Sequence, residues 1–475
     1  DMKRNIINRK ILWGLLIPVV FTSCHIVKSY EAPRIDSENL FRGENPVDTT
    51  TIAAIPWRGD FGDSYLQSYI DEAILNNFDM LIATERIKQA EAALGMARAA
   101  YFPDIALSAQ VNQDRLSSAD PLTGMPKEKN VLGYHKETYS LGVVASWELD
   151  VWGRMGRQSK AKYAQMLNSY VGRNLIQTSL ISNIANAYYS LLALDEQLQV
   201  TNSMIELMNE NLRTTIALKE AGMTNEAAVE QTKAALYKTQ SSVPDLEKNI
   251  QQLENAICLM LGRKSGHIQR LTLQEQQTPI RLAYGIPAQM LANRPDVQQA
   301  ELSFRSAFEL TQVARASFYP SLSLTSGMIG YSTVNGLSHF FKPENIFASI
   351  AGGLTQPLFT RKQLTTQLKV AKAEQRIALL TFEQKVLDAG REVSDILTTY
   401  DSASRKSESC HKEVASLEKA VSYTRKLLMA GEATYLEVIS AQQGLLQAQI
   451  SQVNNRLEQL QATSDLYRAL GGGDK

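Results

Sequence analysis

The sequence predicts a mainly α-helical protein that also carries membrane β-strands, with the whole arrangement written twice along one chain. Three observations predict it: an internal repeat, paired segments of polar/apolar alternation about ten residues long, and apolar seams at coiled-coil spacing. The repeat is plainest where ARAAYFPDIALSA, from Ala97 to Ala109, returns as ARASFYPSLSLTS, from Ala314 to Ser326. Asn76, Asp79, Ala83, Ala90 and Arg98 meet Asn293, Asp296, Ala300, Ala307 and Arg315 at one offset. Beyond the alternating segments the offset shortens, and Ala221-Gly222 meets Ala430-Gly431, Leu261-Gly262 meets Leu470-Gly471. A unit this long is no solenoid repeat and reads as a duplication. Each half has the same grammar: a helix, two strands, a very long helix, a glycine turn and a shorter return helix.

Each first helix stops at two aromatics and a proline (Tyr101, Phe102, Pro103; Phe318, Tyr319, Pro320), since proline cannot continue a helix. Alternation then begins. Ile105, Leu107, Ala109 and Val111 form one apolar row, and Tyr139, Leu141, Val143, Ala145, Trp147 and Leu149 the next. The second half repeats this with Leu322, Leu324, Ser326 and Met328, then Ile346, Ala348, Ile350, Gly352 and Leu354. Strands are expected at about 103–115, 137–149, 320–332 and 346–358.

Alternation alone also suits a soluble sheet with one wet face. Two features favour a membrane: the strands come as isolated pairs, and Tyr101, Phe102, Trp147, Trp152, Phe318, Tyr319 and Phe359 cluster at their ends as an interfacial aromatic belt does. The smallest membrane barrels have about eight strands, and open edges are not tolerated in lipid. Four strands therefore require an oligomer, of two, three or more copies.

The long helices carry seams through Ile176, Leu180, Ile184, Ala187, Leu191, Leu198, Ile205, Met208, Leu212 and Ile216, and through Val393, Leu397, Tyr400, Val414, Leu417, Val421 and Leu428. Gly222 and Gly431 fit helix C-caps, which need positive φ.

Residues 2–23 read as a secretory leader, with Lys3, Arg4, Arg9 and Lys10 ahead of the apolar Ile11 to Phe21. Thr22 and Ser23 before Cys24 resemble a lipobox, which makes Cys24 the candidate site of a covalent lipid; no other cofactor is expected. No later run has the ~18–20 consecutive apolar residues of a membrane helix, so any crossing falls to the strands.

Chemistry is not indicated. Basic and acidic residues balance at 49 each, which gives no footprint for nucleic acid. His25, His135, His267, His339 and His411 lack the spacing of metal ligands or of a nucleophilic triad, and Gly471 to Gly473 has no phosphate-loop lysine. Asp195 and Glu196 are expected on a solvated helix face, and Cys258 and Cys410 are expected to stay unpaired. No enzyme activity and no metal site are expected.

IPWRGDFGDSYLQSYIDEAILNN (Ile55 to Asn77), SWELDVWGR (Ser146 to Arg154), NRPDVQQAE (Asn293 to Glu301), SFYPSLSL (Ser317 to Leu324) and TQPLF (Thr355 to Phe359) resemble the outer membrane efflux protein family, the TolC-like outer membrane factors, and within it the OprM-type lipoprotein branch. The resemblance implies a trimeric twelve-stranded transmembrane β-barrel continued by a long α-helical periplasmic barrel. It implies a leader at 2–23, an anchor and equatorial segment at 24–62, repeats at 63–262 and 291–472, and an equatorial linker at 263–290. The implied function is the outer-membrane channel of a tripartite efflux system, a passive duct served by a periplasmic adaptor and an inner-membrane pump. Alternatives are a protein-secretion duct of the same fold and a structural or adhesive coiled-coil lipoprotein without a pore.

By the same resemblance the helix-hairpin tips meet the adaptor, here through Gly222, Met223, Thr224, Gly431, Ala433 and Thr434. A periplasmic gate is implied at Glu437 and Ser440, where the family's acidic and bracing residues are only partly kept. A gate held by apolar contacts is the alternative.

Overall fold

The computed structural model describes residues 29–33, 57–116, 134–276, 293–334 and 336–472. The leader at 2–23, Cys24 and most of the 24–62 segment lie outside them. Two compact units are present: Asp1–Pro33, Gln89–Leu167 and Leu302–Leu379 form the first, and Arg34–Lys88, Asn168–Glu301 and Leu380–Lys475 form the second.

The first unit is built on one four-stranded antiparallel sheet in the order β1 (Asp104–Leu116), β2 (Tyr134–Leu149), β3 (Ser321–Val334), β4 (Ile346–Thr355). β2 therefore starts earlier, and β4 stops sooner, than alternation suggests. The two strand pairs are not isolated: β2 pairs with β3, from Thr138 opposite Val334 to Leu149 opposite Leu322, and joins the repeats into one sheet. The outer edges of β1 and β4 have no strand partner among the described residues.

Register fixes the faces. Ile105, Leu107 and Ala109 stand opposite Ala145, Val143 and Leu141, which continue to Ile329 and Tyr331 and on to Ala348 and Ile346. One residue of β3 is extra against both neighbours: Ala145 and Trp147 oppose Gly327 and Leu324, while Thr325 and Met328 oppose Ala351 and Ser349. Such a bulge reverses the side-chain phase. The expected row Leu322, Leu324, Ser326, Met328 is thus corrected to Leu322, Leu324, Ile329, Tyr331, and Met328 belongs to the other face.

The second unit is helical. It contains α1 (Trp57–Asp60), α2 (Ser64–Asn76), α5 (Glu226–Gln240), α6 (Val243–Met260) and α9 (Tyr435–Ala469). It shares with the first unit the helices α3 (Phe78–Ala99), α4 (Arg154–Glu220), α7 (Pro295–Ala316) and α8 (Gln363–Ala430). The first return helix, expected as one piece, is two: the chain breaks at Ser241 and Ser242, with Pro244 in the first turn of α6. Leu180, Ile184 and Leu191 of the seam pack with Leu66, Ile70, Ile257 and Leu261 in the main core. Further along, Met204 and Met208 meet Leu236, Val414, Val421 and Leu445, so the two hairpins bury one another's seams. Among the described cysteines, Cys258 and Cys410 are both free thiols.

The duplication extends to atoms. Asn77 Nδ2 donates to the Met260 carbonyl at 2.8 Å, and its repeat counterpart Arg294 donates through Nη1 to Ala469, also at 2.8 Å. A Cβ on Gly262 would lie 2.4 Å from the Asn76 oxygen, and one on Gly471 would lie 3.1 Å from that of Asn293.

Candidate functional site

Two regions carry what the sequence singles out: the sheet, and the ends of the long helices. On the sheet one face is apolar yet open. Ile105, Leu107, Val111, Ile329, Ile350 and Leu354 are all more than half exposed, reaching 77% at Ile350. The opposite face presents Ser108, Gln110, Ser140, Gly142, Gly330 and Ser332, small or polar groups suited to water. An apolar row of this extent on a sheet needs a cover, and a bilayer supplies one.

The aromatics gather at one end of this sheet, because β1 and β3 begin there and β2 and β4 finish there. Trp147 Nε1 donates to the Tyr101 carbonyl at 2.8 Å, and Trp152 Nε1 donates to the Pro320 carbonyl at 2.7 Å. Each indole thereby ties a helix-to-strand junction of one repeat to the end of β2. Trp152 also stacks on Tyr319 at 5.0 Å. Phe102 and Phe359 are 74% and 87% exposed, leaving large apolar rings beside polar tethers, the amphipathic arrangement that membrane interfaces favour. Asp150, which the sequence did not single out, organises the turn: its carboxylate accepts from the backbone N–H groups of Met155 and Gly156 at 3.0 and 2.8 Å, capping α4.

At the tips both long helices end in the same turn. Gly222 and Gly431 each have φ 75°. Gly222 N–H donates to Lys219 O and Met223 N–H to Leu218 O, while Gly431 N–H donates to Leu428 O and Glu432 N–H to Leu427 O. These paired bonds define a Schellman end, which only glycine enters without steric cost. The hairpins are tied together: Lys219 pairs with Glu226 across the first, Arg425 Nη1 meets Glu210 at 2.6 Å, and Tyr435 OH donates to Gln231 Oε1 at 2.9 Å. Met223 is 60% exposed, so the tip is a hydrogen-bonded turn with an apolar side chain on its surface.

A family model described as outer membrane efflux protein matches residues 69–263 and 286–472, the two repeats almost entire. This chain belongs to the outer membrane efflux protein family. Among its relatives, the probable outer membrane lipoprotein SilC of Salmonella typhimurium is 27% identical over 418 residues, 88% of each chain. The cation efflux system protein CusC of Escherichia coli K12 is 27% identical over 466 residues, 96% of this chain and 98% of the relative. The solved open state of the MtrE outer membrane channel of Neisseria gonorrhoeae covers 95% of this chain with a TM-score of 0.82, at 24% identity and 99% of its own length.

The efflux protein therefore has the expected fold class, the membrane β-barrel and α-helical barrel of these trimeric channels, and it is an efflux channel of the bacterial outer membrane. Its implied gate residues lie at the start of α9. Glu437 is exposed, and its Oε2 accepts from the Thr434 N–H at 2.9 Å; Ser440 is exposed one turn on. The carboxylate thus works locally as a helix cap. Asp195 keeps a partly exposed side chain on its helix face, and its carboxylate accepts from Arg270 Nε and Nη2 at 2.5 and 2.9 Å. Arg270 also reaches Glu254 at 2.5 Å. Burial opposes the Arg270 charge, but these two carboxylates hold it protonated beyond the ordinary arginine range.

Sequence reasoning missed a second clasp, around Asp63. The Asp63 carboxylate caps α2 through Tyr65 N–H at 2.8 Å and accepts from Tyr188 OH at 2.7 Å and Gln276 Nε2 at 2.8 Å. Burial first, and the bond to Asp63 second, push the Tyr188 hydroxyl far above its ordinary value. The only available signal was the aspartate before the α2 run, a capping pattern. Both clasps fasten residues 268–276 against α4 and α6. Among the described residues no cluster of His, Cys, Asp and Glu could hold a metal.

Proposed function

We propose that three copies of this chain close a twelve-stranded pore edge to edge, β1 of one against β4 of the next, and that the pore is the outer duct of a tripartite efflux system. The observation that carries this is the four-stranded sheet with one exposed apolar face and two edges that are open among the described residues. In lipid such edges must pair, and repeating the strand order around an axis pairs them all. Single-channel recording on the detergent-extracted protein tests it: a heat-modifiable trimer with discrete conductance steps is expected, and a monomer without conductance would reject it.

The tips at Gly222, Met223, Thr224, Gly431, Ala433 and Thr434 are the proposed seat of a periplasmic adaptor, which joins the duct to an inner-membrane pump. Rigid turns bearing an exposed apolar side chain suit that role. Cargo selection is assigned to the pump, since the duct itself needs only a passage.

Glu437 is proposed as a charged constriction, with Ser440 beside it. Three symmetry copies of an exposed carboxylate would favour cations. Because Glu437 also caps α9, two substitutions separate the roles. Glu437→Gln keeps an acceptor for Thr434 N–H and removes the charge, so it should lower cation selectivity while leaving thermal stability unchanged. Glu437→Ala should lower both selectivity and thermal stability, the latter by about 1 kcal/mol. Unchanged selectivity in the Gln variant would leave Glu437 as a cap only.

Cys24 is the proposed lipid anchor. Cys24→Ser should abolish incorporation of labelled palmitate, and retained label would place the acyl group on another residue.

A further inference from the structure

The loop after β3 turns back over the apolar face of the sheet and leaves a cleft of about 880 Å³ beneath it. Val111, Tyr139 and Leu141 line it from the strands, and Leu337, Phe340 and Phe341 line it from the loop. The side it occupies follows from register: Tyr331 stands opposite Leu141 and Ile346, in the apolar row, and its ring meets Phe341 at 5.3 Å and Phe340 at 6.2 Å.

The loop is shaped by its own bonds. Asn345 Nδ2 donates to the carbonyls of His339 and Phe340 at 2.9 and 3.3 Å, Lys342 N–H donates to His339 O at 3.0 Å, and His339 takes φ 72°. Phe340 and Phe341 pack edge to face at 5.1 Å. Yet Leu337 and Phe341 remain 61% and 68% exposed. In water a held loop that displays these side chains beside an open apolar cleft is unfavourable. Against hydrocarbon it is not.

We propose that this cleft is a defined binding site for the acyl chain of a membrane lipid, at the loop end of the sheet, opposite the end that gathers Trp147 and Trp152. The occupant follows from continuity: the cleft opens along the apolar strand face, which the bilayer covers, and its wall is mainly aliphatic and aromatic, with Gln110, Ser140, His339 and Lys342 as its polar members. Its volume lies within the range of small-molecule pockets, ~300–1,000 Å³. The proposal rests on the reading that the apolar face meets lipid.

The test uses the full-length trimer in phosphatidylethanolamine/phosphatidylglycerol vesicles containing a trace of phosphatidylethanolamine with a diazirine in its acyl chain. After photolysis, adducts are mapped by peptide mass spectrometry. Adducts should concentrate on residues 337–343 and 109–111, and Phe340→Ser with Phe341→Ser should lower them at least about fivefold, with labelling at Ile105 and Leu354 unchanged. Leu337→Gln, a milder change, should act in the same direction. Even labelling along the whole apolar face of the unmutated protein, or label that ignores these substitutions in an assembled trimer, would overturn the site. Loss of label at Ile105 and Leu354 in the unmutated protein would instead overturn the membrane-facing reading.

Discussion

Gly330→Val should leave no assembled channel. Gly330 and Gly142 stand directly opposite each other on the polar face, where β2 and β3 join the two repeats. A Cβ on Gly330 would lie 2.1 Å from the Leu141 oxygen and 2.4 Å from the Gly142 Cα. Both are backbone atoms, so no rotamer change relieves the clash. Overpacking that side chains can absorb costs about 1–3 kcal/mol; here the strands themselves must part. Glycine in a strand interior commonly marks such a close approach. Gly352→Ala is the matched control, because its Cβ would meet only Leu324 Cδ1 at 3.9 Å. The expected outcome is a heat-modifiable trimer with conductance for Gly352→Ala and neither for Gly330→Val. Conductance from the valine variant would show that the seam is looser than its geometry.

The same seam marks where sequence reading reached its limit. Gly222 and Gly431 were legible because a helix end is a local problem: glycine after the last turn answers a demand for positive φ made by its own neighbours. The aromatic-proline junctions were legible for the same reason. The bulge in β3 is not legible, because an extra residue is defined only against β2 and β4, and unbroken alternation places Met328 on the apolar face. The ion pair of Asp195 is not legible, because its partner, Arg270, lies on a distant stretch of chain with no regular spacing from it. Capping by Glu437 is a four-residue pattern, legible directly in TYLE, from Thr434 to Glu437.

The NRPDV motif shows the same division, since its presence was legible and its work was not. Arg294, only 7% exposed, donates to Asp296 at 3.0 and 2.9 Å, to Glu392 at 2.6 Å and to the Ala469 carbonyl at 2.8 Å. It thereby clamps the start of α7 to α8 and to the end of α9, the corner that closes the second repeat. Pro295 at the first position of α7 fixes the backbone beside it. Arg294→Ala would leave Asp296 and Glu392 without their shared partner, and removing one member of a buried ion pair costs about 3–5 kcal/mol. Glu392 keeps Arg468 at 2.8 Å, which places the loss toward the lower end. Arg294→Lys should recover only part, because one ammonium cannot span two carboxylates and a carbonyl as a planar guanidinium does. Acid sensitivity provides a second readout. Burial acts to raise the Asp296 pKa, but the Arg294 bonds outweigh it and hold the carboxyl below its ordinary 3.8. A depressed carboxylate contributes stability above its unfolded value and loses it as pH falls through the folded value. The share of stability that Asp296 contributes should thus hold above about pH 4 and be lost below it. In Arg294→Ala burial is still opposed by the Val297 N–H bond and by Lys385 but no longer by Arg294, so Asp296 protonates at higher pH and this acid-dependent part of the stability shrinks. Thermal melts followed by circular dichroism between pH 3 and 7 check both effects, and a variant melt that keeps the native pH dependence would place the clamp elsewhere.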